Sequence, residues 1–551
     1  LTILALVVST LFPITLRAQG ESRIHLLHSD RLFHDTDIDP RAQILVGNVQ
    51  FRHDDVLMFC DSALFYEASN SLDAFGNVRM NQGDTLSLVG DVLFYNGLDK
   101  LARVRNNVVL VHGKTTLYTD SLDYDRLYNV GYFFEGGHLV TQDNDMTSDW
   151  GEYRPETKVA VFNYNVHLVS PAPPQSARTT LLTDTLYYNT VTSVANARGP
   201  STIDDGGCHI YTELGYMNSK NNDLTLLKRS EMSNDGKKLI GDSIVWNSVD
   251  SIGEAFGNVV YTDVLNKNAM TGNYCYYDDR IGYTMGTDSA CVLDFSQGAD
   301  TMYMHADSIK MYTHNIKTDS VYRTMHAYNH VRMFRHDMQG VCDSLVYLSN
   351  DSVIQMHKDP ILWMGEQQLL GEEIQAFMND STLDSVYVLR QTLSCERLDS
   401  IHYNQVAGHE MHSYMKNGEL HTTHVIGNVI LNYYPIDEDS LMVALNHMES
   451  TEMKMFMGEN RKIKKIWMPA AEGTFYPIPM IPSNVRYLEN FQWFDYVRPT
   501  SPLDIYNWRG KHEGSELKKS VQRKAPLQEL DKLGKKNGNV QNKRAKKVST
   551  H

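Results

Sequence analysis

The chain has 551 residues, 42% of them hydrophobic and 21% charged, enough for several domains or for one extended repeat domain with its own core. The net charge is −16, yet from Lys511 onward 12 Lys/Arg face 4 Asp/Glu, which leaves residues 1–510 at −24. An acidic body with a short basic tail speaks against nucleic acid as its partner, and 31 Tyr against 16 Pro favour strands over helices.

In chain order, residues 1–19 come first, with an apolar run from Ile3 to Phe12 followed by Arg17-Ala18-Gln19. The run is shorter than the roughly 20 residues that span a bilayer, so it reads as a secretory signal whose start is missing. From Ile44 a repeat sets in. Copies begin at Ile44, Leu72, Leu101, Val130, Val159, Val194, Leu224 and Ile252, 28 to 30 residues apart except for one 35-residue step holding "SPAPPQSA". Weaker copies start near Thr284, Val321, Val353, Val386 and Leu420, giving about thirteen units up to Pro435.

Inside a unit the apolar period is two. Leu72, Ala74, Gly76, Val78 and Met80 alternate with Asp73, Phe75, Asn77 and Arg79, the pattern of a half-buried strand. Asp120, Leu122 and Tyr124 are read as sharing a face in the same way. Gly47, Gly76 and Gly257 fall inside such strands, where glycine marks a bulge or a close backbone approach. Two short strands cannot close a core alone, so units must stack, and thirteen of them predict an all-β rod of roughly 125 Å. Residues 436–508, with "YPIPMIPSNVRYLENFQWFDYVRP", break the pattern and read as an end cap or docking element. Residues 509–551 read by composition as a basic, disordered tail.

Three chemistries suggest themselves and fail. "GDSI" at Gly241 and "CDSL" at Cys342 imitate a lipase block, but other units replace the serine, and a nucleophile needs one serine with its own base. In "GHEMHSY" the histidines His409 and His412 are one residue too close for a zinc protease motif, and His421 and His424 share that parity problem. The recurring acids Asp61, Asp91, Asp120, Asp149, Asp184, Asp242, Asp307 and Asp343, with Glu213 and Glu372, read as turn caps or strand-edge solvation rather than a calcium roll. Six scattered cysteines contain no C-x-x-C, and Cys60 and Cys342 hold one place in the repeat as small buried side chains.

The repeated Gly-Asn-Val strand ("ILVGNVQF", "GEAFGNVVY", "THVIGNVIL") and the strand ending Asp-Ser-Leu-x-Tyr, after a secretion signal, resemble the organic-solvent-tolerance (OstA) family. That family includes the LptA-like periplasmic module of lipopolysaccharide transport, here in the long form of the Bacteroidetes type. The resemblance implies an elongated open β-jellyroll, a β-taco, whose apolar trough holds lipid acyl chains while the sugars stay in water. It also implies a non-enzymatic periplasmic protein without cofactor. Its partners would be lipopolysaccharide through the lipid A acyl chains, and other transport proteins joined by edge strands, the outer-membrane barrel and further copies of itself included.

The inward residues expected to touch acyl chains are Leu72, Ala74, Val78, Met80, Val108, Leu122, Val259, Leu345 and Val429. The small inward residues Ala74, Gly76 and Ala255 favour a groove over a filled core. The rival is a structural or adhesive β-solenoid without lipid binding.

Overall fold

The computed structural model describes residues 22–170, 178–296, 300–316, 318, 320–379, 382–416, 419–436, 441–458, 463–515 and 517. The expected signal segment, the "SPAPPQSA" insert beyond Ser170 and most of the basic tail lie outside them. Strands dominate throughout and pair antiparallel, so the protein is all-β, and helix is confined to a few short turns near the C-terminus. By internal contacts the chain divides into two units, 1–280 and 281–551.

In the first unit the repeat read from the sequence is the repeat that folds. Strands Ser71–Gln82, Leu101–His112, Val159–Ser170, Val194–Asp205, Asp223–Asn234 and Ile252–Asp263 begin within one residue of the expected starts. Each alternates with a return strand, such as Val56–Tyr66, Leu86–Asn96 or Lys237–Asn247. Eleven or twelve residues is about twice a common strand length, and each strand is bent in the middle.

The bend is a bulge in which two residues oppose one. Register shifts between Phe75 and Val78, Arg105 and Val108, Asn163 and Val166, and Phe256 and Val259. Both inserted residues take positive φ, as in Gly76 (74°) with Asn77 (44°) and Gly257 (70°) with Asn258 (44°). Two successive left-handed residues turn the strand sharply, and glycine and asparagine are the residues that tolerate this. Asn106 and Tyr164 take the first position in other bulges, but at Gly76 and Gly257 glycine is held there for a second reason. A Cβ on Gly76 or Gly257 would lie 2.6 Å from Asp61 Oδ2 or Asp242 Oδ2 on the neighbouring strand.

The bulges line up as a ridge, and the two halves of every strand form two leaves joined along it. Leaf one carries Leu72, Ala74, Leu93 and Tyr95; leaf two carries Val78, Met80, Leu86 and Leu88, all buried between the leaves. Because the bulge consumes two residues, alternation passes through the Gly-Asn strands undisturbed. On return strands it slips. Leu88 and Gly90 face inward, Asp91 and Val92 both face out, and Leu93 and Tyr95 face in again. Asp120 therefore points outward although Leu122 and Tyr124 point inward, contrary to the shared face read from spacing.

The second unit repeats the device. Its bulges place Asn329-His330, Arg390-Gln391 and Gly427-Asn428 at positive φ. Its interior is one contiguous cluster in which methionine is prominent, with Met304, Met333, Met338, Met356, Met411 and Met453 all buried. The terminal strand Ala444–Met457 is edged by the short strands Ile463–Trp467 and Glu472–Pro477.

From Ile478 the chain turns back across the outer face of leaf two as a strap. Leu488, Phe494 and Val497 pack on Val341, Ile361, Trp363, Leu370, Leu393 and Cys395. A row of buried amides holds its backbone. Asn432 donates to the Val485 carbonyl at 2.7 Å, and Gln405 and Gln368 donate to the carbonyls of Arg486 (2.9 Å) and Gln492 (2.8 Å). Their own carbonyl oxygens accept from the N–H of Leu488 and Phe494, each at 2.8 Å.

Candidate lipid-contacting interior and its clasp

The recurring acids lie on the ridge, outside the interior. Asn48, Asn77, Asn107, Asn165 and Asn258 donate from Nδ2 to Asp30, Asp61, Asp91, Asp149 and Asp242 at 2.6–3.0 Å. Each pair ties a bulge to the preceding return strand. The Gly-Asn strand and the Asp strand thus recur together because each completes the other's corner, which accounts for the two tempting motifs. Asp242 of "GDSI" is held by Asn258 and by Arg229 at 3.1 Å, hydrogen bonds that keep its carboxyl below the usual range. Asp343 of "CDSL" pairs with Lys358 at 2.8 Å.

His409 occupies the acid's place beneath Gly427, while His412 stacks on Tyr387 at 4.3 Å between centroids. His424 pairs with Glu452 at 3.2 Å. Among the described residues no group of three or more His, Cys, Asp or Glu could hold a metal ion. Cys60 and Cys342 are buried at the same repeat position, and burial pushes both thiols up.

All nine side chains expected to line the interior are there. Leu72, Met80 and Leu122 are 0% exposed, Val78, Val108, Val259, Leu345 and Val429 are 1% exposed, and Ala74 is 2% exposed. Leu72, Ala74, Leu122 and Leu345 belong to leaf one; Val78, Met80, Val108, Val259 and Val429 belong to leaf two. Such values mean that the leaves meet. Ala74 and Ala255 leave no open channel beside them, because neighbouring side chains close over the space.

What holds the free margins together was not anticipated from the sequence. In the first unit the tyrosine of Asp-x-Leu-x-Tyr ends its strand at the margin of leaf one, opposite the ridge. Its hydroxyl meets a polar side chain at the margin of leaf two, on an element about one repeat back. Tyr95 meets His53 Nδ1 (2.6 Å), Tyr124 meets Gln82 (3.2 Å), Tyr153 meets His112 Nδ1 (2.9 Å) and Tyr188 meets Asn144 (2.6 Å). The four partners are 41 to 44 residues apart in sequence. They act as clasps across the mouth of the trough, and the tyrosines are 0–1% exposed.

The first clasp fixes a tautomer. His53 Nε2 lies 3.1 Å from the Ser22 carbonyl, which can only accept, so Nε2 carries the proton and Nδ1 accepts from Tyr95. Arg126 in turn donates to the Tyr95 oxygen at 2.6 Å and to Asp55 at 2.8 Å. Burial holds His53 and His112 below the ordinary histidine value, and it pushes the Tyr124 hydroxyl up to about 12. The clasps are neutral at neutral pH. A tyrosine four residues after an acid, recurring with a polar residue some 42 positions earlier at a strand end or turn, was the signal available in the sequence.

Folded ridge, two apolar leaves and a clasped mouth define a repeat jellyroll of the trough-forming class, its leaves meeting along the clasped stretch. Comparison with known families narrows the class: residues 21–173 match the OstA-like protein family, and residues 130–235 match the lipopolysaccharide-assembly, LptC-related family. The two matches support the OstA-like resemblance and lie within the first unit; both families belong to lipopolysaccharide transport, whose members bridge and carry rather than catalyse. No curated protein matches the chain. Among the described residues, no helix is long and apolar enough to cross a membrane.

Proposed function

We propose that this protein is a periplasmic carrier or bridge that moves lipopolysaccharide towards the outer membrane, with acyl chains lodged between the two leaves. The observation that carries the reading is the pairing of the OstA-like match with an apolar interior that runs from leaf margin to leaf margin. The nine inward residues named above are the acyl contacts in this proposal.

Magnitudes make such loading reasonable. A clasp hydrogen bond is worth about 1 kcal/mol net. Each methylene removed from water returns about 0.8 kcal/mol, so a few methylenes offset one clasp. The inner side chains that part would exchange contact with each other for contact with the chain, keeping them dry. Edge strands at either end would join other transport proteins, the outer-membrane barrel or another copy, through unpaired backbone groups.

Photo-crosslinking groups at Val78 and Val259 are expected to capture lipopolysaccharide in cells, and depletion of the protein is expected to slow its arrival at the cell surface. Crosslinks to protein alone at every inward position would remove the proposal. The tight contact of the leaves favours a second reading, a structural or adhesive β-solenoid that binds no lipid. Cell fractionation separates the two, since surface display contradicts a periplasmic carrier.

A further inference from the structure

The clasps do not run the length of the first unit. At the position of Tyr95, Tyr124, Tyr153 and Tyr188, the return strands Cys208–Asn218 and Lys237–Asn247 carry Met217 and Trp246 instead, and in the next, Asn268–Asp278, the Tyr277 hydroxyl donates to Asp279 at 2.6 Å. Burial changes with the chemistry. In strands Ser71–Gln82 and Leu101–His112 the inward apolar residues Leu72, Ala74, Val78, Met80, Ala102, Val104, Val108 and Leu110 are all buried. In Asp223–Asn234, Lys237–Asn247 and Ile252–Asp263, burial is strongest near the ridge, at Leu226, Ile244, Ala255 and Val259, and of the marginal residues Leu224 and Asp263 stay buried. Met232, Leu239 and Tyr261 on the leaf-two margin, and Trp246 on the leaf-one margin, are half-buried. The turns beside them expose further apolar groups, with Val249 and Leu265 both 72% exposed.

We infer that acyl chains enter the trough sideways between the margins of Asp223–Asn234, Lys237–Asn247 and Ile252–Asp263, at Met232, Leu239, Trp246 and Tyr261, while the clasps Tyr95–His53, Tyr124–Gln82 and Tyr153–His112 keep the preceding stretch shut. The inference rests on the lipid-carrier reading and assigns its entry site. The occupant is a single-bond hydrocarbon chain whose polar head stays outside. Both lips are apolar, and a flexible thioether and two aromatic rings at the opening adapt to a chain of irregular shape. The buried polar group of this margin, Asp263 at 3% exposure, is engaged within its own turn, accepting from the Asn266 N–H at 2.9 Å and Nδ2 at 2.7 Å.

Leu88 and Leu239 are repeat equivalents, each three residues before the ridge acid of its strand, Asp91 and Asp242. That equivalence makes the test. A photo-reactive residue at Leu239 in the full chain, mixed with purified lipopolysaccharide, is expected to label strongly, and one at Leu88 only weakly. Combining Tyr95→Phe, Tyr124→Phe and Tyr153→Phe keeps the rings and removes the clasps. Labelling at Leu88 should then rise about five-fold or more, the factor that one lost hydrogen bond is worth.

A second measurement avoids bulky groups. Leu239→Cys should react with a maleimide and be protected by the lipid, whereas Leu88→Cys should react only in the Tyr→Phe background. Equal reactivity and labelling at the two positions in the otherwise unaltered chain would overturn the entry site while leaving the carrier reading intact. So would labelling at Leu239 with Leu88 still silent after the clasps are gone. No labelling at Leu239, Leu88 or Val259 would overturn the carrier reading and the entry site together.

Discussion

Gly76 and Asn77 show how much of the architecture rests on two backbone angles. Both residues sit at positive φ, and a methyl on Gly76 would strike Asp61. Gly76→Ala and Gly257→Ala are therefore expected to destabilise the protein by about 1–3 kcal/mol each, read as a shift of the denaturation midpoint. Asn77→Ala keeps a small side chain at that corner but loses the bond to Asp61, and about 1 kcal/mol is expected. Protonation of the clasps gives a further test. His53, faced by Tyr95, Arg126, Asp54 and Lys100, and His112, faced by Tyr153 and Lys158, titrate below the ordinary value of about 6.5 when folded. The folded chain binds fewer protons than the unfolded one, so this contribution is full above that value and is lost as pH falls below it. The midpoint should drop between pH 7 and pH 5. The drop should be smaller in the double variant His53→Gln, His112→Gln, with His305 and His326 supplying the remainder with the same sign.

Among the elements, the strap is the one whose attachment is least visible in its own composition. Its prolines and aromatics announce a segment that is not another repeat, and they place hydrophobic groups for burial. Nothing in them tells that Gln405 and Gln368, near the starts of the strands Tyr403–Lys416 and Gln367–Leu370, are 0% exposed and read the strap's backbone. Gln368→Ala removes the partners of the Phe494 N–H and the Gln492 carbonyl, and Gln405→Ala those of the Leu488 N–H and, save for a longer bond from Asn432, the Arg486 carbonyl. Each should cost about 1–3 kcal/mol and speed hydrogen exchange or proteolysis of residues 478–508 before the strands respond. The strands themselves were legible for the opposite reason. Alternation with a two-residue step and a glycine or asparagine at the corner is a local signal, and it located where Leu72, Leu101 and Val194 begin. It failed at Asp120, because the return strand turns its corner with an extra outward residue that no period of two can register. The clasps went unread because Tyr95 and His53 are 42 residues apart and belong to different leaves.

For the whole molecule, charge and repetition set the behaviour. The body carries −24 over residues 1–510, and a file of carboxylates follows the ridge of the first unit. Self-repulsion at low salt should therefore be relieved by screening, and the thermal midpoint should rise as ionic strength approaches about 0.15 M. The inward faces were identified correctly from the alternation, since all nine named residues are enclosed. How closely the leaves meet beside Ala74 was not, because small side chains such as Ala74 and Ala255 are compatible with a groove and with a snug interior alike.

The offset of the clasps has a mechanical outcome. Tyr95 reaches back to the strand Gln43–His53, Tyr124 to Ser71–Gln82 and Tyr153 to Leu101–His112, so the leaves are stitched on a diagonal with one thread per repeat. Cutting one thread frees a patch the width of a few strands and leaves the next thread taut. A guest drawn along such a seam would travel as a blister of fixed size, opening stitches ahead and letting them re-form behind.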